Sequence, residues 1–395
     1  MSNSILFDNV AWPQYTSKEA DQIKKKLLSN KTNYLFGSEG ILFEKEFSKK
    51  VDCKYGVAVS NGTVALELAL RSLHLNKDDE VLVTCRSFIA SASSILNVGL
   101  KVVFSDVDKY SHNISLETIK KGITKNTKVI LCVHFAGLPC DMKDISKYSK
   151  KRNIKIIEDC SQAHGAQINN QSVGSFGDVA AWSFCQDKII STGGEGGMVT
   201  TNNKKIYDYI WSYKDHGKNK KKYFKKYNNT HFKYIHEFQG SNYRLTEIQS
   251  LLGRIHVRKL DDYSKQRNKI AKYIITKLKN FEIFNFQNVP NKFKHAYYKL
   301  YISINSELLN KKFDNKFILD YLKIHKIPSG QGTCSEIYLE KTFSNIKMKK
   351  NILYNNAKYL GKYSFAINIT NLYTKRHCDY IISKISNLAI KISKQ

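Results

Sequence analysis

Six short runs rich in β-branched and aromatic residues punctuate the first half of the chain: YGVAV (55–59), EVLVT (80–84), KVVFSD (101–106), TKVILCVHF (127–135), IKIIED (154–159) and DVAAWSF (178–184). Between them the apolar positions switch to helical spacing, in GTVALELALRSL, SASSILNVG, SLETIKKGI and DMKDISKYSKKRN. This alternation predicts a mostly parallel sheet covered by helices, the α/β class. Ligands of such sheets bind beyond the carboxyl ends of the strands. Polar residues just after each run are therefore the candidates for chemistry.

The pattern changes after about Thr201. A helix is predicted to begin near Lys204, and Tyr243 to about Leu278 reads as one long helical stretch with few breakers. Strand-like YYKLYISIN and helix-like CDYIISKISNLAIKIS then predict a smaller α+β lobe. The boundary is placed near 250, dividing the chain into residues 1–250 and 251–395, and no internal repeat is visible. No run approaches the length of a membrane span, and MSNSILFDNVAWPQ lacks a basic segment followed by an apolar one, so a soluble, unexported, cytoplasmic protein is expected.

Composition adds two constraints. A hydrophobic share of 42% and 12% aromatics over 395 residues exclude a disordered or fibrous chain. The eight cysteines are scattered without CxxC pairs or a histidine at metal-ligand spacing, which reads as reduced, structural thiols and no metal. The formal charge of +30 admits nucleic acid, a membrane surface or an acidic substrate as partners. The excess is spread along the whole chain, which fits a drift of composition better than one binding groove. The dense block GKNKKKYFKKYNNTHFK (217–233) reads either as a solvated loop or as a basic flap over an anionic ligand.

Five stretches offer chemistry. In VSNGTVALELAL a strand runs into Gly62-Thr63 at a helix start, which is either a plain cap or a cradle for phosphate. IKIIEDCSQAHGA delivers Glu158 and Asp159 to a strand end, followed by Gln162 and His164; a carboxylate there meets a cation or a protonated ring nitrogen, or forms a structural salt bridge. Phe88 in TCRSFIASA is a core residue or a surface on which a flat ring stacks. Asn242 and Arg244 in FQGSNYRLTEIQ open the long helix or contact a ligand. Finally, SFCQDKIISTGGEGG carries Lys188 between an apolar strand and a glycine turn that matches neither a P-loop nor a dinucleotide fingerprint.

A cradle for phosphate, a carboxylate for a ring nitrogen, a flat aromatic and an amine for an aldehyde together specify pyridoxal phosphate (PLP). The sequence resembles the DegT/DnrJ/EryC1/StrS family of sugar aminotransferases. The motifs run in order from LFGSEGILFEKEF and YGVAVSNGTVALELAL through VHFAGLPCDM, IEDCSQAHGA and SFCQDKIISTGGEGGMVTTN to GSNYRLTEIQSLLG, over residues 30 to 255.

The resemblance implies PLP fold type I, like aspartate aminotransferase. The large PLP-binding domain would carry a seven-stranded, mostly parallel sheet, and a smaller α+β domain would complete the C-terminus. It places the cofactor-bonding lysine at Lys188 and the partner of the ring nitrogen at Asp159. Gln162 would lie beside the ring hydroxyl and Phe88 on the ring. The phosphate would be bound by Gly62, Thr63 and Ser183, and by Asn242 from the other subunit of a homodimer. The implied reaction moves an amino group from glutamate to a keto-sugar linked to a nucleotide, for surface polysaccharide or an amino sugar. The sequence CQD before Lys188 and the segment SGQGTCSEIYLEKTF depart from common members and suggest an oxidised eight-carbon sugar acid as the alternative substrate. Aromatisation or dehydration on the same fold, and a basic nucleic-acid-binding or regulatory protein, are the other readings.

Overall fold

The computed structural model describes residues 6, 7, 10, 12–224, 234–346 and 353–394. All six apolar runs form strands of a single seven-stranded sheet. Its order is Tyr55–Val59, Gly197–Thr201, Val179–Ser183, Lys155–Asp159, Thr127–Val133, Glu80–Thr84, Lys101–Ser105. Gly197–Thr201 alone runs against the other six, pairing antiparallel with both neighbours. Its register sets Val59 opposite Gly197 and Ser183 opposite Gly197, so the carboxyl ends of two strands converge on one glycine. Helices cover both faces, and the strands are buried almost end to end, as expected of a sheet packed on two sides.

The long helix starts later than the sequence pattern suggests. It spans Glu247–Leu278, with Thr246 as its cap and Gln249 completing a capping box. Tyr243 and Arg244 do not open it. They lie extended against the end of the first strand, where Ser60 N–H donates to Tyr243 O at 3.0 Å, and Arg244 is ion-paired with Asp215. Val257 and Leu260 of this helix join the core around Phe43 and Trp182, whereas Ile270 to Leu278 join a second core with the strands Phe284–Phe286, Lys299–Ile304 and Ser364–Asn368. The helix thus runs through the expected division near 250 and ties the two cores together. From the C-terminal part, Ile337, Phe343, Ala357 and Leu360 return to the core of the large sheet.

Six cysteines are buried and all eight are unbonded. Among the described residues no helix is long and apolar enough to cross a membrane. Of the basic segment 217–233, residues 225–233 lie outside the described residues. Its start is turned back by Gly217, whose O accepts from Glu237 N–H at 2.8 Å and whose φ of +74° favours glycine.

Four interior histidines make the fold sensitive to acid, His112 among them, held well below its ordinary value by burial and Arg86. Burial, with the charges of Lys188 and Arg267, holds His164 down to about 3, burial alone holds His295 to about 3, and burial holds His256 to about 4. Each ring is neutral in the folded chain and takes up a proton on unfolding once pH drops below its ordinary value of 6.5. Stability present at pH 7 should therefore fall as pH goes from 6.5 toward 4, by about 1–2 kcal/mol per ring at pH 5. Thermal melts across this window should show a falling Tm; a flat or rising Tm would contradict these assignments.

Candidate active site

The carboxyl ends of the parallel strands meet the second sheet across a cavity of about 850 Å³. Of the eight residues that the resemblance assigns to the cofactor, seven line it: Gly62, Thr63, Phe88, Asp159, Gln162, Ser183 and Lys188; Glu158, His164 and Arg244, also singled out in the sequence, do not.

One wall is the start of the helix Gly62–Arg71. Asn61 caps it, its Oδ1 accepting from Val64 N–H at 2.9 Å, and the first intrahelical bond runs from Ala65 N–H to Asn61 O. The Gly62 and Thr63 amides precede these bonds and sit where helix ends favour anions. Gly62 is required by packing, because a Cβ there would stand 2.6 Å from Ser183 Cβ. Strand end and helix start approach too closely for any side chain.

At the floor, the strand Lys155–Asp159 separates its two acids by the alternation of side chains in an extended chain. Glu158 is fully buried on the side away from the cavity. It accepts from the amides of Gly174, Phe176 and Gly177 at 2.8, 2.8 and 2.6 Å and meets His134 Nε2 at 2.9 Å. Because His134 Nδ1 accepts from Cys140 N–H, its proton is on Nε2 and points at Glu158. Asp159 faces the cavity, with Oδ2 accepting from Ser91 Oγ at 2.8 Å and Oδ1 from Ser161 N–H at 3.1 Å. Glu158 is thus engaged in the interior of the fold, and Asp159 is the acid that faces the cavity.

Lys188 comes from the loop after Val179–Ser183. Its backbone is fixed, N–H donating to Cys185 O at 3.0 Å and O accepting from Trp12 Nε1 at 2.7 Å. Its Nζ stands 3.2 Å from Asp187 Oδ2 and 3.4 Å from the Tyr298 hydroxyl. The glycine turn that follows is exposed at Gly193, open around Gly194 and tightly packed on either side of them. Ile189 to Thr192 are buried, and a Cβ on Gly196 or Gly197 would collide with Thr192 or with the Asn61 backbone. Glu195 acts here through its carbonyl, which accepts from Thr192 Oγ1 and from Gln249 Nε2 at 2.6 and 2.8 Å.

Phe88 is 66% exposed, a flat apolar face open to the cavity. Gln162 Oε1 accepts from Ala136 N–H at 2.7 Å, leaving its amide NH₂ for the cavity. Asn242 is not brought into the cavity of its own chain; it is exposed on the surface and bridged through its backbone to Asp215. Tyr298, Ser91, Ser161 and Lys299 also line or border the site and were not singled out from the sequence, and Asp187 was marked only as part of CQD. Asp187 adjoins Lys188, but nothing local marks Tyr298, 110 residues away.

The model of the DegT/DnrJ/EryC1/StrS aminotransferase family matches residues 14–386. The chain belongs to this family. It is a PLP-dependent sugar aminotransferase, with pyridoxal 5'-phosphate as cofactor. Among curated relatives it is 38% identical over 263 residues to GDP-perosamine synthase of Escherichia coli O157:H7, covering 66% of this chain and 68% of that one. It is 36% identical to dTDP-3-amino-3,6-dideoxy-alpha-D-galactopyranose transaminase of Aneurinibacillus thermoaerophilus, covering 67% and 69%. Among solved structures, an aminotransferase from Psychrobacter cryohalolentis superposes with a TM-score of 0.94 at 40% identity, over 97% of this chain and 99% of that one.

The cavity fits this cofactor on its own geometry. It offers helix-start amides beside a Gly62–Ser183 contact with no room for a Cβ, a buried carboxylate held by two donors, an exposed aromatic face and a lysine amine. Their chemistry matches, in turn, a phosphate, a pyridine nitrogen, a planar ring and an aldehyde.

Proposed function

We propose that this enzyme transfers an amino group from glutamate to the carbonyl carbon of a keto-sugar carried on a nucleoside diphosphate, in the cytoplasm, as a homodimer. The convergence of Lys188, Asp159, Phe88 and the Gly62–Thr63 amides on one cavity carries this reading. The two curated relatives above, whose names specify a GDP-linked and a dTDP-linked sugar, supply the substrate class.

In this reading Gly62, Thr63 and Ser183 bind the phosphate, and Asn242 of each chain reaches the phosphate in the other. Phe88 and Gln162 orient the ring, and Asp159 keeps its nitrogen protonated. Bound PLP supplies an aldehyde that exchanges amines and a ring that accepts electrons from a deprotonated carbon. Lys188 would be the residue that bonds the aldehyde of bound PLP, and its amine, once free, would be the group that holds and moves a proton at the substrate carbon.

A second reading, an aminotransferase for an oxidised eight-carbon sugar acid, draws support from Lys299. This half-buried cation lines the cavity with no carboxylate within salt-bridge distance among the described residues, and burial pulls its pKa below the ordinary value. Incubating the purified protein with PLP, glutamate and a panel of keto-sugar nucleotides and keto-sugar acids, and following products by mass, tests both. Amination of a nucleotide sugar with formation of 2-oxoglutarate is the expected result; amination of the free acids alone favours the second reading. No glutamate consumption with any acceptor would overturn both.

A further inference from the structure

Asp187 lies directly before Lys188, yet its side chain turns back into the same cavity. Its Oδ2 is 3.2 Å from Lys188 Nζ, and the Tyr298 hydroxyl donates to that same oxygen. The hydroxyl is itself 3.4 Å from Lys188 Nζ, and the ammonium stands 4.9 Å from the Tyr298 ring centroid. Amine, carboxylate and phenol close a triangle.

The third corner of that triangle is held from outside the loop that carries the other two. Tyr298 is buried at 8% exposure, and its N–H donates to Ala136 O at 3.0 Å. The N–H of Ala136 is in turn bound by Gln162. Lys188 is thus aimed by a carboxylate from its own loop and a phenol from the segment leading into the second sheet.

We propose that Asp187, fixed by Tyr298, is a positioning residue that aims the Lys188 amine at the reacting carbon and balances its charge while it holds the proton. This rests on Lys188 being the proton carrier. A free lysine amine has four rotatable bonds and, once protonated, seeks a counterion. Without Asp187 the nearest acid in the cavity is no longer the neighbouring residue, and the ammonium is free to leave the attacking geometry.

The titratable and charged groups acting on Asp187 are Lys188, Tyr298 and Lys299, with Asp187 and Glu195 in turn acting on Cys185 and Lys188 on His164. Burial pushes the Asp187 carboxyl up, but the Lys188 charge, the Tyr298 hydroxyl and Lys299 outweigh it and hold it below the usual carboxylate range. Asp187 is therefore ionised at the pH where the amine works.

The test uses holoenzyme carrying D187N, D187E, Y298F or D187N/Y298F. Measured are PLP affinity by titration of apoenzyme, Tm, both KM values, kcat, and the isotope effect on kcat with α-deuterated donor. D187N should lower kcat on the order of 10–100-fold, less than the roughly 10²–10⁴-fold contribution of a proton carrier itself. Both KM values should stay within about 3-fold, PLP affinity and Tm should be retained, and the isotope effect should rise as proton transfer becomes limiting. D187E should recover part of the rate, and the double variant should be little worse than D187N, because the two groups act as a unit.

A raised KM for the sugar with unchanged kcat would assign Asp187 to substrate hydroxyls instead. Loss of PLP affinity together with Tm would assign it to structure, and a kcat within about 2-fold of the wild type would remove it from the reaction. Each of these outcomes overturns the proposal. Activity of K188A separates the two levels: an inactive K188A beside a fully active D187N sinks this inference alone, whereas an active K188A sinks the role of Lys188 itself.

Discussion

Replacing Lys188 with alanine is expected to abolish turnover, by more than roughly 10⁴-fold, because in the proposed mechanism one amine serves both to bond the cofactor and to carry the proton. The visible absorbance of lysine-bound PLP should vanish, while the far-ultraviolet circular dichroism should match the wild type. The fold should survive because the loop is held through backbone atoms that alanine keeps, Lys188 N–H on Cys185 O and Lys188 O on Trp12 Nε1. The side chain itself contributes only its contacts to Asp187 and Tyr298. Turnover assays, absorbance spectra and circular dichroism on the same preparation check the three parts together. Full activity in K188A would remove Lys188 from the reaction, and a misfolded K188A would show the loop to depend on the side chain.

Much of this site was legible in the sequence because its residues sit at fixed offsets from strands that announce themselves. A strand buried on both faces must be written in apolar residues, so its end is visible, and Asp159 and Gly62 stand at or just beyond such ends, while Ser183 was implied by the family resemblance alone. Lys188 follows its strand by a few residues and was found the same way. Gly197–Thr201 was missed as a strand because GMVTT is short and follows a cluster of glycines that reads as a loop. Its antiparallel direction depends on pairing with Tyr55–Val59, more than 130 residues earlier, and no local pattern encodes such a partner.

The same limit explains the start of the long helix. Tyr243 and Arg244 have helix-compatible side chains, and bonds to distant chain, Ser60 N–H to Tyr243 O, Tyr243 N–H to Lys214 O and the Arg244–Asp215 ion pair, draw them into extended chain. The capping box Thr246–Gln249 was present as TEIQ and marks the true start. Tyr298 and Lys299 reach the cavity from the second sheet, and their sequence reads only as an amphipathic strand. Residues brought to a site by packing between two cores carry no signature in their own neighbourhood.

The pair Glu158–Asp159 supplies the sharpest test of that division between what motif and packing each determine. Asp159→Asn keeps the shape and both hydrogen bonds, since the amide oxygen accepts from Ser161 N–H and the amide nitrogen donates to Ser91 Oγ. Only the negative charge is lost, so a ring nitrogen bound there loses the partner that keeps it protonated. The expected result is a fall in kcat on the order of 10²–10³-fold, the cost of removing one preorganised electrostatic group, with little change in Tm. Glu158→Gln should do the reverse. Glu158 carries three backbone amides and His134 in a fully buried setting, and the amide offers one acceptor oxygen where the carboxylate offered two. Stability should fall by about 1–3 kcal/mol in denaturant melts, through donors left without an acceptor, while the folded fraction retains its turnover. Two acids one residue apart would then separate cleanly, one acting on rate and the other on stability. A D159N enzyme that melts early yet turns over normally, or an E158Q enzyme that is stable and inactive, would reverse the assignment and place the ring nitrogen on the other face of the strand.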